Sequence, residues 1–248
     1  MSKVDGWLAE SELAMHGWDF SHLDGRWENQ ELPWCYRELV KEQMHDDKMW
    51  LDVDTGGSEL MSSFHHPAAK TVVTEGWPPN LKLLQEKFID SAITVIADLN
   101  EDLSNVPDDT FDIITNSHGA LPVQETVNKL RAGGFFVTQQ VGGTNNFSLS
   151  RFLDSTYELA YPDNTLINVA IQLQEAGMQI QKQEMAFTRM SFFDVGAIVY
   201  YATVIPWEFP KFKVHDCLPQ LKQLDKLIAT QGSISTFEDR FMIVARKI

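Results

Sequence analysis

Five short apolar runs between residues 48 and 141 constrain the fold of this chain more than any other feature. They are KMWLDV (48–53), KTVVTE (70–75), ITVIAD (93–98), FDIITN (111–116) and GFFVTQQV (134–141). Each is nearly continuous in hydrophobicity and rich in β-branched or aromatic residues, as expected of strands that helices cover on both faces. Helix-like segments separate the runs. This alternation predicts an α/β fold with a Rossmann-like, doubly wound, mainly parallel sheet and helices on both faces.

Two of the helix-like segments are NLKLLQEKFI (80–89) and VQETVNKLRAGG (123–134). The second ends on Gly133 and Gly134, so we expect a left-handed glycine C-cap there. After residue 150 the pattern changes: residues 165–190 predict a helix running into a long strand, and residues 239–248 predict a final strand. Together with the five runs, these two strands predict a seven-stranded sheet.

The remaining segments suggest how the chain is organised around that sheet. PWCYRELVKEQM (33–44) predicts a helix before the first strand, and the aromatic-rich residues 192–235 predict a helical insertion before the last one. We therefore expect an N-terminal helical cap segment at 1–45, a cofactor-binding core at 46–191, an inserted helical cap at 192–235 and the last core strand at 236–248.

The charge of the chain restricts its partners. Its 35 acidic and 20 basic residues give a formal net charge of −15 over 248 residues. Diffuse electrostatic attraction to nucleic acid or to an anionic membrane is therefore not available, and only a local basic patch could supply it. A small-molecule substrate is the favoured expectation, ahead of a protein or nucleic acid.

Cysteine usage and the apolar segments indicate the compartment. Cys35 and Cys217 stand far apart and form no CxxC pair, so we expect free thiols in a reducing environment. The N-terminal segment lacks the layout of a signal peptide, and the longest apolar run, residues 195–207, is shorter than the ~20 residues that span a bilayer. The chain is predicted to be cytoplasmic, without a membrane segment. His65 and His66 have no third ligand at metal spacing, so no metal site is expected.

The stretch WLDVDTGGSELMSSF (50–64) allows several interpretations. Asp54-Thr55-Gly56 is the tripeptide of an aspartic protease, but such a site needs two carboxylates and the chain has one such loop. A calcium loop would need a bidentate Glu where Ser63 stands. A nucleotide-cofactor site instead needs a strand-end acidic residue about 20 positions later to hold a ribose. Glu75 meets that requirement, 23 residues after Asp52.

The segments LDVDTGGSE, VTEGWPPN, ADLNEDLSNVPDDTFDIITNSHG and LRAGGFFVTQQVGG resemble, in order and spacing, the successive motifs of class I S-adenosylmethionine (SAM)-dependent methyltransferases. The resemblance covers about residues 45–150. The later segments FFDVGAIVYYATVIPWEFP and EDRFMIVARK are similar to the C-terminal part of a bacterial subgroup of that family.

The resemblance implies a SAM-dependent methyltransferase and its cofactor contacts, and the chemistry of nearby residues suggests a base and an acceptor pocket. His118 is the candidate general base, useful if the acceptor is a hydroxyl or a protonated amine. Trp34, Tyr36 and Tyr200 are candidates for binding an acceptor in an apolar pocket. The residues expected to contact the cofactor run from the methionine part through ribose and adenine to the transferable methyl: Asp52, Asp54, Thr55, Gly56, Gly57, Glu75, Gly76, Trp77, Asp98, Leu99, Asn116 and Ser117.

Two loop positions depart from the family pattern, which is acidic-x-Gly-x-Gly-x-Gly. Asp54 replaces the first glycine and Ser58 the third. Glycine serves in such loops where φ is positive or where the backbone approaches the ligand closely, and a different residue costs on the order of 1 kcal/mol. Asp54 would repel the carboxylate of SAM and attract its ammonium and sulfonium groups, with roughly 4 kcal/mol at about 4 Å in an effective dielectric of about 20.

Four functions therefore remain after sequence analysis. A SAM-dependent methyltransferase with a small-molecule acceptor is favoured. A methyltransferase for RNA or protein would need a basic patch, for which Lys211, Lys213, Lys222 and Lys226 form the local cluster. A non-catalytic SAM-binding protein is suggested by the altered glycine loop. An NAD-dependent dehydrogenase shares the fold and the ribose carboxylate, but the later motifs disfavour it. Neither the acceptor nor the oligomeric state is predicted.

Overall fold

The structure is a computed structural model of the chain and describes residues 2–15 and 18–248. Two short 3-10 helices, Ser21–Leu23 and Ala68–Lys70, accompany the regular elements. The helices of the described ranges are α1 (Lys3–Glu10), α2 (Tyr36–Lys41), α3 (Glu59–Ser62), α4 (Pro78–Lys87), α5 (Val123–Lys129), α6 (Phe147–Leu153), α7 (Leu166–Glu175), α8 (Val195–Val204) and α9 (Leu218–Gln231). The strands are β1 (Trp27–Asn29), β2 (Trp50–Val53), β3 (Thr71–Glu75), β4 (Thr94–Ala97), β5 (Phe111–Ser117), β6 (Leu130–Val141), β7 (Met178–Phe192) and β8 (Ile234–Lys247).

The strands form one mixed sheet in the order β1-β7-β8-β6-β5-β2-β3-β4. The pairs β2–β3, β3–β4, β2–β5 and β5–β6 are parallel. The predicted α/β fold with a doubly wound, mainly parallel sheet is confirmed, but the sheet has eight strands where seven were expected. The additional strand, β1, pairs antiparallel with β7 and places Trp27 opposite Phe192. Three residues are too few to show alternation in a sequence, so this strand depends on its partner.

The predicted glycine C-cap at residues 133 and 134 is wrong. α5 ends at Lys129, and β6 begins at the next residue, Leu130. Phe111 of β5 pairs with Leu130, whereas Ile113 pairs with Phe135, so the register shifts between these pairs. Gly133 lies in this irregular stretch with φ +78°, a conformation that favours glycine. The glycine therefore serves a bulge within the strand and not the end of a helix.

The chain divides into two compact units. Unit 1 contains the described residues of Met1–Leu32, with Gly142–Asp163 and Ala186–Arg240. Unit 2 contains Pro33–Val141, Asn164–Met185 and Phe241–Ile248. The predicted insertion at 192–235 falls within unit 1, whereas the predicted segments 1–45 and 46–191 each contribute to both units. The four-segment organisation drawn from the sequence stays a prediction.

Each unit has its own hydrophobic core. In unit 2, Leu51 and Ile114 belong to one buried cluster and their neighbours Trp50 and Ile113 to another. Because successive residues of a strand point to opposite faces, the two clusters cover the two faces of the sheet. Unit 1 packs around α8, which is buried over nearly its whole length. In the described chain, no helix is both long and apolar enough to traverse a bilayer.

Candidate functional site

The polar residues predicted to form a site follow adjacent parallel strands. Asp52 of β2 lies in register with Val73 of β3 and with Thr115 of β5. Glu75 ends β3 and pairs with Ala97, the last residue of β4. Because the carboxyl ends of parallel strands meet at one edge, the side chains that end these strands lie at the same edge of unit 2. This is the edge where open α/β sheets bind their ligands.

Asp52 is held by two threonine hydroxyls. Thr55 donates to its Oδ2 at 2.7 Å, and Thr115, its neighbour in register, donates to its Oδ1. Burial raises the pKa of Asp52 to about 6, although both hydroxyl hydrogen bonds act to lower it. The Tyr36 hydroxyl donates to the Val137 carbonyl at 3.2 Å, and the pKa of this phenol is raised well above its ordinary value by burial and by the charge of Asp52.

Asp54, the first departure from the glycine pattern, is anchored to the turn after β5. It has φ +53°, and its Oδ2 accepts a hydrogen bond from the Ala120 N–H at 2.8 Å. A Cβ at Gly119 would lie 2.5 Å from the Asp54 Cβ, so the absence of a side chain there makes room for the carboxylate. The pKa of Asp54 is raised to about 7, mainly by burial and also by the charges of Glu75, Glu101 and Asp98, whereas the Ala120 hydrogen bond acts to lower it.

Ser58, the second departure, is anchored to α4. It is fully buried with φ +69°, and its Oγ accepts from Lys87 Nζ at 2.8 Å. Lys87 Nζ also donates to the Gly57 carbonyl at 3.2 Å. Asp54 and Ser58 therefore keep the left-handed backbone that explains glycine in the family pattern. In addition, each gains a side-chain hydrogen bond to a different element.

Glu75 connects the end of β3 to the glycine loop. Its Oε2 accepts from the Gly56 N–H at 2.9 Å, and its Oε1 accepts from the Trp77 N–H at 2.8 Å. The residue is 5% exposed. Burial raises the pKa of Glu75, while the Trp77 and Gly56 hydrogen bonds and the Asn80 side chain act to lower it. The carboxylate thus links the backbone of the glycine loop to the end of β3.

The end of β4 presents a buried acid beside exposed apolar groups. Asp98 is 2% exposed, and its Oδ1 accepts from the Asp102 and Leu103 N–H groups at 3.3 and 3.1 Å. Leu99, by contrast, is 63% exposed, and Trp77 after β3 is 49% exposed. The two strand ends therefore combine carboxylates with apolar surface open to a ligand.

The end of β5 carries a layer of amide and hydroxyl groups. Asn116 Oδ1 accepts from Gln140 Nε2 at 2.7 Å and from the Gly119 N–H at 3.1 Å. Ser117 Oγ accepts from Gln139 Nε2 at 2.9 Å. His118 follows with φ +67° and an exposed side chain, and its backbone N–H donates to the Gln139 carbonyl at 2.9 Å.

The structure brings most of the predicted site residues into unit 2. All predicted cofactor residues, His118, Trp34 and Tyr36 belong to that unit. Trp34 Nε1 donates to Gln139 Oε1 at 3.3 Å, which joins it to the polar layer at the end of β5 and β6. Tyr200 lies in unit 1, where it is 3% exposed on α8 and its ring centroid is 4.5 Å from that of His22. Its role in acceptor binding stays a prediction, as do the roles of the other residues.

Sequence reasoning missed several residues that shape this site. Thr115, Gln139 and Gln140 interrupt otherwise apolar strands, and such polar residues within a buried run are a signal that could have identified them. Lys87 and Ala120 give no comparable signal, because an exposed lysine on a helix and a backbone N–H in a turn occur throughout any sequence. Their contribution is visible only through their distances to Ser58 and Asp54.

Two cavities of the described chain lie away from these residues. One, of about 250 Å³, is in unit 2 beside α7 and is lined by Ile167, Ile171 and Ile180 among others. The other, of about 320 Å³, is in unit 1 and is lined by Tyr157, Phe209 and Cys217 among others. Over the same residues, no group of three or more His, Cys, Asp or Glu side chains is arranged to hold a metal ion.

No known protein family matches the sequence, and no curated protein matches it significantly. Solved structures do match in three dimensions. A proposed methyltransferase from Bacillus halodurans superposes with a TM-score of 0.59 at 14% identity, covering 86% of this chain and 98% of that chain. The YcgJ protein of Bacillus subtilis superposes with a TM-score of 0.57 at 15% identity, covering 86% of this chain and 97% of that chain. A proposed sarcosine dimethylglycine methyltransferase from Galdieria sulphuraria superposes with a TM-score of 0.52 at 14% identity, covering 85% of this chain and 82% of that chain.

These similarities extend over most of both chains. The protein therefore has the Rossmann-like fold of class I SAM-dependent methyltransferases, as the sequence motifs predicted. At such low identity the likeness is one of fold.

Proposed function

We propose that this protein is a SAM-dependent methyltransferase that acts on a small-molecule acceptor. One observation carries the proposal. Carboxylates follow three adjacent parallel strands, and Asp52, Asp54, Glu75 and Asp98 take part in none of the ion pairs found among the described residues. Negative charge without a basic partner suits a cationic ligand, and SAM carries both an ammonium and a sulfonium group.

The available groups also suit the rest of SAM. Glu75 would hold the ribose, the exposed Trp77 and Leu99 would cover the adenosine, and Asp52 with the glycine loop would hold the methionine part. When bound, SAM supplies a methyl group that transfers by in-line displacement. The residues of the chain would position the two reactants and exclude water, which are the main sources of rate enhancement for such a transfer.

His118 is the proposed base. Its exposed side chain follows the end of β5, close in the chain to Asn116 and Ser117, and it could accept a proton from a hydroxyl or an ammonium acceptor. Trp34 and Tyr36, near the same strand ends, are the proposed acceptor-binding residues of unit 2, and Tyr200 is the candidate within unit 1. The net charge of −15 supports a small-molecule acceptor over a nucleic acid, and a cytoplasmic location is part of the proposal.

A second candidate, a SAM-binding protein without catalysis, is favoured by a specific observation. Both oxygens of Glu75 accept hydrogen bonds from backbone N–H groups, one in the glycine loop and one just after β3, and Asp98 accepts from the backbone after β4 in the same way. Carboxylate oxygens have capacity for further donors. However, recognition of a ribose diol would require Glu75 to share or exchange these internal bonds, which would weaken binding.

Calorimetric titration with SAM, and separately with S-adenosylhomocysteine, tests the proposal. Glu75→Gln is the informative variant because it keeps the size of the side chain and one acceptor oxygen, whereas Glu75→Ala would leave buried N–H groups unpaired. Glu86→Gln on the exposed face of α4 is the matched control for the loss of one charge.

We expect the wild type and Glu86→Gln to bind alike, and Glu75→Gln to bind at least about tenfold more weakly, because it loses a charge-assisted hydrogen bond. Absence of binding in the wild type would overturn the proposal. Binding without methyl transfer to any member of a panel of small molecules, RNA and protein acceptors would support the non-catalytic alternative instead.

A further inference from the structure

Among the candidate-site carboxylates Asp52, Asp54, Glu75 and Asp98, only Asp54 stands where the family pattern has glycine. Its surroundings hold it in one orientation. The Ala120 N–H donates to its Oδ2 at 2.8 Å, and its own backbone N–H donates to Thr74 Oγ1 at 3.2 Å. Gly119 packs against the side chain without a Cβ. These contacts come from β3 and from the turn after β5, so two other elements of the fold fix the position of Asp54.

The charges around Asp54 are negative. Glu75, at the end of β3, and Asp98 and Glu101, after β4, are the acidic groups that act on it. Lys87 of α4 donates from its Nζ to Ser58 Oγ and to the Gly57 carbonyl, and it forms no ion pair with Asp54. None of the ion pairs in residues 2–15 and 18–248 includes Asp54. The carboxylate therefore keeps its attraction for a cation that enters the site.

We propose that Asp54 makes the site selective for the positively charged sulfonium cofactor over its neutral sulfide product, S-adenosylhomocysteine. This inference rests on the proposed function. The two molecules share adenine, ribose and amino-acid groups, so contacts with those groups contribute about equally to both. They differ by the methyl group and by one positive charge at sulfur. In the proposed site Asp54 faces the methionine part, where its attraction for the ammonium group is common to both molecules and its attraction for the sulfonium acts on SAM alone, so it changes the ratio of the two affinities.

The selectivity has a consequence for turnover. Transfer of the methyl group removes the positive charge from sulfur, and the attraction between Asp54 and the bound molecule is lost in the same step. The product is then held less tightly than the cofactor that replaces it. A glycine at this position would supply no such discrimination. The aspartate at position 54 therefore contributes to cofactor specificity and is not a defect of the loop.

The test measures dissociation constants by calorimetry at about pH 8, where Asp54 is mainly ionised. The probes are SAM, S-adenosylhomocysteine and sinefungin, a SAM analogue in which an amine replaces the methyl sulfonium and retains the positive charge. Asp54→Asn is the main variant because its amide oxygen can still accept from the Ala120 N–H. Glu86→Gln is the charge control, and circular dichroism checks the folding of each variant.

We expect the ratio of the S-adenosylhomocysteine and SAM dissociation constants to fall at least about tenfold in Asp54→Asn and to stay unchanged in Glu86→Gln. The dissociation constant of sinefungin should rise in Asp54→Asn together with that of SAM. An unchanged ratio in Asp54→Asn would overturn the inference. So would a dissociation constant of sinefungin that changes as that of S-adenosylhomocysteine does. If Asp54→Asn does not fold, Asp54→Gly gives the same comparison, since glycine tolerates φ +53°. Failure of the wild type to bind any of the probes would instead overturn the proposed function.

Discussion

The two units each contain a group of buried carboxylates, and the two groups are satisfied differently. In unit 1, Glu208 is 7% exposed and accepts hydrogen bonds from the side-chain amides of Asn145 and Asn146. Arg240 lies in the same network: it donates to Asn145 Oδ1 at 2.9 Å and forms an ion pair with Glu238. Burial raises the pKa of Glu208, and the amides and the charge of Arg240 act to lower it.

In unit 2, the carboxylates of the candidate site rely on neutral donors, which are hydroxyls, backbone N–H groups and the Asn80 side chain. Asp52, Asp54 and Glu75 have hydrogen-bond partners but no basic side chain within ion-pair distance among the described residues. The comparison indicates that hydrogen bonding and charge compensation are separate requirements. The Glu208 network of unit 1 meets both and is suited to a structural role, whereas the candidate site of unit 2 leaves its carboxylates without an ion-pair partner and is suited to a cation.

The largest expected effect concerns the network in unit 1. Glu208→Ala removes the acceptor of two buried amide groups, so the free energy of unfolding should fall by about 3 kcal/mol, measured by chemical denaturation. Glu208→Gln should cost about 1 kcal/mol or less. The Asn146 side chain can turn to accept from the new amide, since its Oδ1 has no partner in the described chain. A loss below about 1 kcal/mol in Glu208→Ala would contradict the structural role.

A smaller effect is expected from the pH dependence of stability in unit 2. The pKa of Asp54 is raised in the folded protein from 3.8 to about 7, so the folded state binds more protons than the unfolded state between these values. The unfolding free energy should therefore fall as pH rises from about 4 to about 7 and then level off.

Asp54→Asn should reduce this fall by on the order of 2 kcal/mol in thermal or denaturant unfolding across the pH range, since its side chain does not titrate. The difference in slope between Asp54→Asn and the wild type should appear only between the unfolded-state pKa of 3.8 and the folded-state pKa of about 7. A pH profile of Asp54→Asn that parallels the wild type would show that burial and the charges of Glu75, Glu101 and Asp98 do not raise the pKa of Asp54.

The smallest expected effect is the coupling between Ser58 and Lys87. If the hydrogen bond between them stabilises the glycine loop, Ser58→Gly, Lys87→Met and the double variant should show a coupling of about 0.5–1.5 kcal/mol in unfolding free energy. Ser58→Gly alone should be nearly neutral, because relief of the positive φ offsets the lost hydrogen bond. Strict additivity of the two single changes would mean that Lys87 does not support the loop.

Much of the core could be predicted because the relevant signals are local. The runs that became β2, β3, β4 and β5 are short, apolar and bounded by polar residues, and their alternation with helices has few other solutions. The positions of Asp52 and Glu75 at strand ends followed directly from these boundaries. In contrast, the boundary between α5 and β6 was misplaced, since the helical pattern of residues 123–129 has no stop signal before the strand begins.

By itself, the sequence determined the fold class, the strand-end placement of the carboxylates and the two departures from the glycine pattern, because each depends on residues close together in the chain. Only the tertiary structure decided what those carboxylates contact. Asp54 meets the Ala120 N–H across 66 positions, Asp52 meets Thr115 across 63, and Ser58 meets Lys87 across 29. No local pattern encodes such pairs. They arise from tertiary packing, and the same packing leaves Asp52, Asp54, Glu75 and Asp98 outside the ion pairs of the described residues.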